Sequence, residues 1–406
     1  MLAALVLAAA APAGAQGETG GPSSFRIGRA VQLDVRVKAQ FDWRDFPKGS
    51  DANPSGVFDL HRARAAIDGT LWKRVEFQVE RELRKTDEPW RDVYLDVEFH
   101  RALQVKSGRF KIPFSLDEMT GGTDLDFAYR SLAATYLAPG RDLGVMVHGT
   151  VLAKRVKYHA GAFRQGGENI RPAERRDPQS SGTLAGRVTV RPWQGARGAR
   201  AAGALRGLAA GASFTSGEVP EGLNSLRGRT VLGEALFPRV YVNGGRRRTG
   251  AEVEWRAGPV SVRGELMRSV DERRRQGTDG GNLPDAIARG WYWSGTWLLT
   301  GEPKKDEVRP AKPLLQGGAG AVELAARLEE FRMGSRAGID PPSVSPRAGS
   351  ILETADRVLT FGLNWYLNPY VLLQVNAIRE TRERGGTAVP GQERMWSRVL
   401  RAQFEL

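Results

Sequence analysis

Residues 361–378 read FGLNWYLNPYVLLQVNAI. Leu359, Phe361, Leu363, Trp365 and Leu367 fall on one parity and Thr360, Gly362, Asn364 and Tyr366 on the other, which is the period of two of a strand. Asn368-Pro369 breaks the run with a tight-turn signal, because proline presets φ and asparagine closes the turn with its own side chain. Alternation then resumes with Val371, Leu373, Val375 and Ala377 opposed by Gln374 and Asn376. The stretch is a hairpin with one apolar face. In a soluble sandwich that face would meet a second sheet, whereas in an outer-membrane barrel it would meet lipid and the polar face would line water.

The same alternation recurs along the chain. Val31, Leu33, Val35 and Val37 oppose Gln32, Asp34, Arg36 and Lys38; Val93, Leu95, Val97 and Phe99 oppose Tyr94, Asp96 and Glu98. Short turns such as Ala257-Gly258-Pro259 and Leu367-Asn368-Pro369 contrast with long polar stretches at 166–181, 271–282 and 334–349, the asymmetry of periplasmic turns and extracellular loops. AVELAARLEEF (321–331) has a helical composition, yet Val322, Leu324, Ala326 and Leu328 alternate with Glu323, Arg327 and Glu329, so a strand is expected. The final residues, WSRVLRAQFEL, form an amphipathic strand with Trp396, Leu400, Ala402, Phe404 and Leu406 on one parity and Arg398 interrupting that face. It resembles the closing strand of an outer-membrane protein. Trp291, Trp293 and Trp297 share a face and Trp365 lies near the Asn-Pro turn, so several of them suit headgroup-level girdles. The expected fold class is all-β, a transmembrane antiparallel β-barrel over residues 25–406.

Composition agrees. The mean hydropathy of the 406 residues is negative, which argues against a bundle of membrane helices, and no cysteine is present to mispair in an oxidising periplasm. Residues 1–16, with an apolar run from Leu2 to Ala11 and the small-residue site Ala13-Gly14-Ala15, suit a signal peptide lacking the usual basic start, and 17–24 a short leader. The 60 Lys and Arg against 46 Asp and Glu give a formal charge of +14. These cations recur along the whole chain rather than in one arm, so no nucleic-acid partner is expected. The clusters Arg246-Arg247-Arg248 and Arg273-Arg274-Arg275 are expected to be solvated loop charges, and Gly244-Gly245 a turn.

Parity also selects candidate pore residues. In HRARAAIDGTLW (61–72), Arg62 and Arg64 oppose Ala63, Ala65 and Ile67, and the same logic turns Arg187, Arg191, Arg256, Arg263 and Arg327 inward. A charge on the lipid face near the midplane would cost about 2–4 kcal/mol. Inward guanidiniums attract anions and fit phosphate through paired N–H donors. The competing possibility is that they neutralise inward carboxylates such as Glu76, Glu80, Asp96, Glu98, Glu252 and Glu254. No metal spacing or nucleophile motif surrounds the four histidines, and neither a catalytic site nor a cofactor is expected.

HRARAAIDGTL, VKSGRFKIPFSLDEMTGGTDLDFAYRSLAATYLAPGRDLGVMVHG, GWYWSGTWLLTGE, GAVELAARLE and FGLNWYLNPYVLLQVN occur in this order. Together they resemble the phosphate-selective porin O and P family. The resemblance implies about sixteen strands, a homotrimer in outer-membrane lipid, and an inward-folded loop that narrows the pore. By position it adds Arg109 and Lys111 as a basic pair. It also places the loop within 113–141, with Arg130 and Arg141 as its basic members and Asp117, Glu118, Asp124 and Asp126 in place of a lysine cluster. The expected function is a passive channel for small anions, with phosphate or polyphosphate leading. The alternatives are a general porin and a plugged, structural or adhesive barrel.

Overall fold

A strand that crosses lipid must have its backbone N–H and C=O groups paired on both sides, because no water is present to satisfy them. In the computed structural model sixteen long antiparallel strands meet that demand among the described residues. Those residues are 24–28, 30–46, 57–165, 167, 182–195, 200–219, 225–226, 230–231, 236, 240–335, 352–385, 387–388 and 395–406. The first eight strands are β1 (Val31–Asp45), β2 (Val57–Leu71), β3 (Val75–Glu82), β4 (Trp90–His100), β5 (Leu103–Lys111), β6 (Arg141–Val151), β7 (Val156–Phe163) and β8 (Thr183–Val190). The remainder are β9 (Ala209–Val219), β10 (Gly244–Ala257), β11 (Val260–Arg273), β12 (Leu283–Leu298), β13 (Ala321–Ser335), β14 (Thr354–Asn368), β15 (Val371–Arg384) and β16 (Met395–Glu405). Each pairs with its chain neighbours. β16 returns to β1, with Lys38 opposite Glu405 and Asp45 opposite Arg398, so the sheet closes on itself. The expected signal peptide lies outside the described residues, as do nearly all of 166–181 and 336–349 of the expected loops. Ser24, expected in a leader, instead opens a short strand, Ser24–Ile27, paired to β1.

The hairpin of residues 361–378 is β14 and β15. Asn368 closes its turn by accepting hydrogen bonds from the Tyr370 and Val371 N–H groups at 2.8 and 2.9 Å. Phe361, Leu363, Trp365 and Val375 are exposed on the outer surface, and Asn364, Gln374 and Asn376 are buried inside. Residues 321–331 are strand, as their alternation predicts.

Tryptophans line both rims. Trp72, Trp297 and Trp365 stand near the short turns, and Trp43, Trp90 and Trp396 near the long loops. Trp293 lies between the rims, four residues and about 13 Å along the strand from Trp297, while Trp291 stands directly opposite Glu330, where the apolar band gives way to charge on the long-loop side. Two further expectations change. Gly244-Gly245 begins β10 rather than forming a turn, and Arg246 and Arg248 are buried on its inner parity while Arg247 points out. Likewise β11 continues through Asp271, which pairs with Arg246, to a buried Arg273. A strand whose two faces are both charged near a rim has no apolar alternation by which to recognise it.

The polar face of the hairpin does not line open water. Residues 112–140, between β5 and β6, lie against the inner wall of β10–β16 and β1. They carry two short helices, α1 (Leu116–Met119) and α2 (Leu132–Leu137), capped by Ser115 and Ser131. A buried loop must satisfy its own backbone, and inward amides do so here. Gln374 donates to the Leu125 carbonyl at 3.0 Å, Asn364 to that of Asp126 at 2.9 Å, and Gln403 to that of Thr123 at 2.8 Å. Asn376 accepts from the Ala128 N–H at 2.8 Å, and Glu329 from that of Leu132 at 2.6 Å. Phe114, Leu132 and Leu137 pack with Met267, Phe331, Met333 and Ile378 in an apolar core inside the barrel.

Two buried ion pairs complete the seat. Arg401 grips Asp42 at 2.7 and 2.8 Å and also donates to the Ala128 carbonyl. Lys304, from the connection 299–320 at the short-turn rim, meets Asp126 and Glu323 at 2.6 Å each. Burial works against the Lys304 charge, but Asp126 and Glu323 outweigh it and raise its pKa above the ordinary value.

Removing one partner of a buried pair strands the other charge, so Arg401→Met is expected to cost about 3 kcal/mol. Urea unfolding in lipid vesicles, followed by tryptophan fluorescence, measures this. An unchanged midpoint would show that the pair does not hold the seat.

Candidate functional site

With one wall covered by residues 112–140, the lumen keeps its open space against the other. A cavity of about 300 Å³ lies between strands β1–β7 and the Met119–Gly122 stretch of the inner segment. Eight basic side chains line it against two carboxylates, Glu80 and Asp92. They are Arg36 and Lys38 from β1, Arg62 and Arg64 from β2, Lys106 and Lys111 from β5, Arg141 from β6 and Lys157 from β7. A second cavity of about 300 Å³ continues toward the short-turn rim. Lys154, Arg155, Lys157, Arg187 and Arg191 line it against Glu252 and Glu254.

Most of these cations are paired along the wall. Arg64 bonds Glu80 and Glu82 at 3.1 and 3.0 Å, Arg141 bonds Asp92 at 2.7 and 2.8 Å, and Arg187 bonds Glu252 at 3.1 Å. Arg36 meets Asp68 at 2.7 Å, Lys38 meets Glu405 at 2.8 Å, and Lys106 meets Asp96 at 3.1 Å. Arg62, Lys157 and Arg191 have no carboxylate partner among the described residues. The Arg62 guanidinium lies over Gly122, where a Cβ would clash with its Nη1 and push the guanidinium aside. Three uncompensated cations therefore run from the inner segment toward the short-turn rim.

The remaining candidates divide. Lys111 enters the lumen because β5 ends there, and its Nζ donates to the Thr120 carbonyl at 2.9 Å and to that of Glu118. Arg109 does not enter. It shares the outer parity of Leu103 and Val105 and bonds Glu88 at 2.8 Å, which takes it out of the pathway. Arg130 stays within the inner segment, bonding the Thr120 carbonyl at 2.7 Å and Glu118 at 3.2 Å. Arg263 and Arg327 point inward as expected but lie behind that segment. Arg263 meets Glu254 at 2.7 Å and Asp126 at 3.4 Å, and Arg327 donates to the Tyr129 carbonyl at 3.0 Å. They tether it and are shielded from open water. Arg256 pairs with Glu254 and Asp306 at 2.6 Å each.

Three of the four acids of the inner segment are similarly consumed. Asp117 accepts from the Ser131 N–H and hydroxyl at 2.8 and 3.0 Å, and Asp126 holds Lys304. Burial alone would raise the Glu118 pKa, but Arg130 and Lys111 outweigh it and hold the carboxyl below its usual range. Asp124 keeps no such partner among the described residues, and burial followed by the nearby Glu405 pushes its carboxyl up. Ser131 and His148 have separate partners, since His148 Nε2 lies 3.0 Å from both Asp96 oxygens.

Arg36, Lys38, Lys106 and Lys157 are lumen cations absent from the arginine-based expectation. Parity alone would have found them. Lys157 and His159 oppose Val156 and Tyr158 in the same way that Arg36 and Lys38 oppose Val35 and Val37.

Solved outer-membrane barrels share this architecture. OmpT of Vibrio cholerae, folded in vitro, superposes with a TM-score of 0.58 at 11% identity, over 94% of this chain and 99% of that one. The channel DcaP of Acinetobacter baumannii gives 0.57 at 10% identity over 95% and 100% of the two chains. An anion-selective porin from Comamonas acidovorans gives 0.54 at 12% over 93% and 100%. At such identities the likeness establishes the fold alone. No curated sequence matches at a significant level. The profile of the phosphate-selective porin O and P family, however, matches residues 31–406, which is nearly the whole chain. The chain therefore belongs to that family, as a porin of the bacterial outer membrane.

Proposed function

We propose that the barrel is a passive, water-filled channel for small anions, with phosphate or polyphosphate as the leading class. The observation that carries this is the open lumen, where eight basic side chains line one cavity and two of them, Arg62 and Lys157, have no carboxylate partner among the described residues. A ring of fixed cations in a narrow aqueous path attracts anions and repels cations. Guanidinium adds phosphate recognition through paired N–H donors and keeps its charge at every physiological pH. Membership of a phosphate-selective family and the likeness in fold to the anion-selective porin of Comamonas acidovorans support the same reading. In this reading residues 112–140 narrow the pore, with Arg62 opposite Gly122 near the tightest level, and the channel works as a homotrimer. A general porin is the second reading. It is favoured by one observation, that most of the lumen cations are already neutralised by neighbouring acids.

Arg62→Ala is expected to weaken phosphate block of the chloride current about tenfold, the worth of one charge-assisted contact. Phosphate titration of single channels in a planar bilayer reads this directly. Equal block in the variant and the parent would return Arg62 to a structural role and leave the general porin. In Arg62→Ala/Arg64→Ala, Glu80 loses its ion-pair partner and Glu82 keeps only Arg84, so the anion-to-cation permeability ratio should fall at least about threefold with folding intact. An unchanged ratio would remove both arginines from the path.

The depressed Glu118 pKa fixes the sign of a pH effect. A carboxyl held below its unfolded value stabilises the fold above that value, and the contribution is lost as pH falls through the folded one. Open-channel noise should therefore be steady from about pH 7 to 5 and rise only below about pH 4. Glu118→Gln should be noisy throughout. A quiet Glu118→Gln channel would show that Glu118 does not secure the inner segment.

A further inference from the structure

The outer wall carries a feature that permeation does not use. On β11, β12 and β13 the outward apolar side chains Leu266, Trp293 and Leu328 give way, toward the long-loop rim, to arginines. Arg268 is directly opposite Arg289, and Arg289 directly opposite Arg332. Like charges in directly opposed cross-strand positions repel. Arg332 is compensated by Glu353 at 2.6 Å and Glu330 at 3.3 Å. Arg289 reaches the same Glu353 only at 3.7 Å, with a side chain 60% exposed. Arg268 is exposed and has no ion pair among the described residues. Two guanidiniums thus stand side by side, undercompensated, at the edge of the surface that meets hydrocarbon.

We propose that Arg268 and Arg289 form a binding site for the phosphate groups of a phosphorylated glycolipid in the outer leaflet. The position suits that ligand. The arginines lie above the apolar band, where charge on the lipid face costs little and anionic headgroups are found. Paired N–H donors match phosphate oxygens, and a divalent anion relieves the repulsion between the opposed arginines. Leu266 and Trp291, directly opposite each other one outward position beneath the arginines, with the exposed Trp293 next below, offer apolar surface to an acyl chain, which free phosphate would not use. A neighbouring subunit would have to bring its own acids to this face, because Glu353 is already engaged with Arg332.

Native mass spectrometry of the full-length protein in detergent tests the proposal, with diphosphorylated lipid A, its dephosphorylated form, and inorganic phosphate as competitor. Arg268→Gln/Arg289→Gln should bind the diphosphorylated lipid at least about tenfold more weakly, at about fivefold per cation lost near a charged surface. Single-channel conductance should stay unchanged. Dephosphorylated lipid should bind the parent as weakly as the variant binds the intact lipid, and millimolar phosphate should not displace the intact lipid. Wild-type lipid affinity in the double variant would overturn the site. Equal binding of the dephosphorylated form would overturn the role of phosphate, and displacement by free phosphate would overturn the lipid as its source. A changed subunit count with lipid binding intact would reassign the patch to a subunit contact. If the double variant does not fold, Arg268→Gln alone, which keeps the Arg289 contact to Glu353, carries the same comparison.

Discussion

The pairing of every backbone polar group away from water is the constraint from which the rest of this structure follows. In lipid it forces closure, and the ladder between β1 and β16 joins the first and last long strands of the chain. Closure assigns each strand one face to hydrocarbon and one to the interior. The same constraint then acts inside. Residues 112–140 lie within the barrel, and their carbonyls and N–H groups find partners in Asn364, Gln374, Asn376, Gln403 and Glu329. Polar residues that suit a water-filled pore by pattern thus serve as the seat of a buried segment.

That seat divides the interior into halves with different chemistry. On the covered half, Arg263, Arg327, Arg401 and Lys304 are bound to acids or carbonyls and act as structure. On the open half, cations outnumber acids, and three of them lack a counter-charge among the described residues. The acids of the inner segment barely offset this excess, because Asp117, Glu118 and Asp126 are turned into hydrogen bonds and ion pairs. A formal charge of +14 spread over the chain therefore becomes a directed feature only once the inner segment is in place.

The period-two pattern made the barrel, the Asn368-Pro369 turn and the strand at 321–331 legible from sequence. It also gave the inward direction of Arg62, Arg64, Arg187, Arg263 and Arg327. Parity could not say which inward arginines stay wet, since that depends on what covers them from across the barrel, as with Arg263 and Arg327. It failed for Arg246–Arg248, where both faces of the strand are charged near a rim and the alternation vanishes. Arg109 and Lys111 share a parity in sequence, yet the end of β5 sends only the second inward. Lys157 was as legible as any arginine, because its parity opposes Val156 and Tyr158 and its ammonium carries the same charge into the lumen.

If the lumen is built as described, its open half is net cationic to a permeating ion. The most direct test is the reversal potential of the purified protein in a planar bilayer across a KCl gradient. The structure predicts a potential displaced toward the chloride equilibrium value, with the displacement shrinking as salt screens the wall. A potential near zero, or one displaced toward potassium, would contradict it.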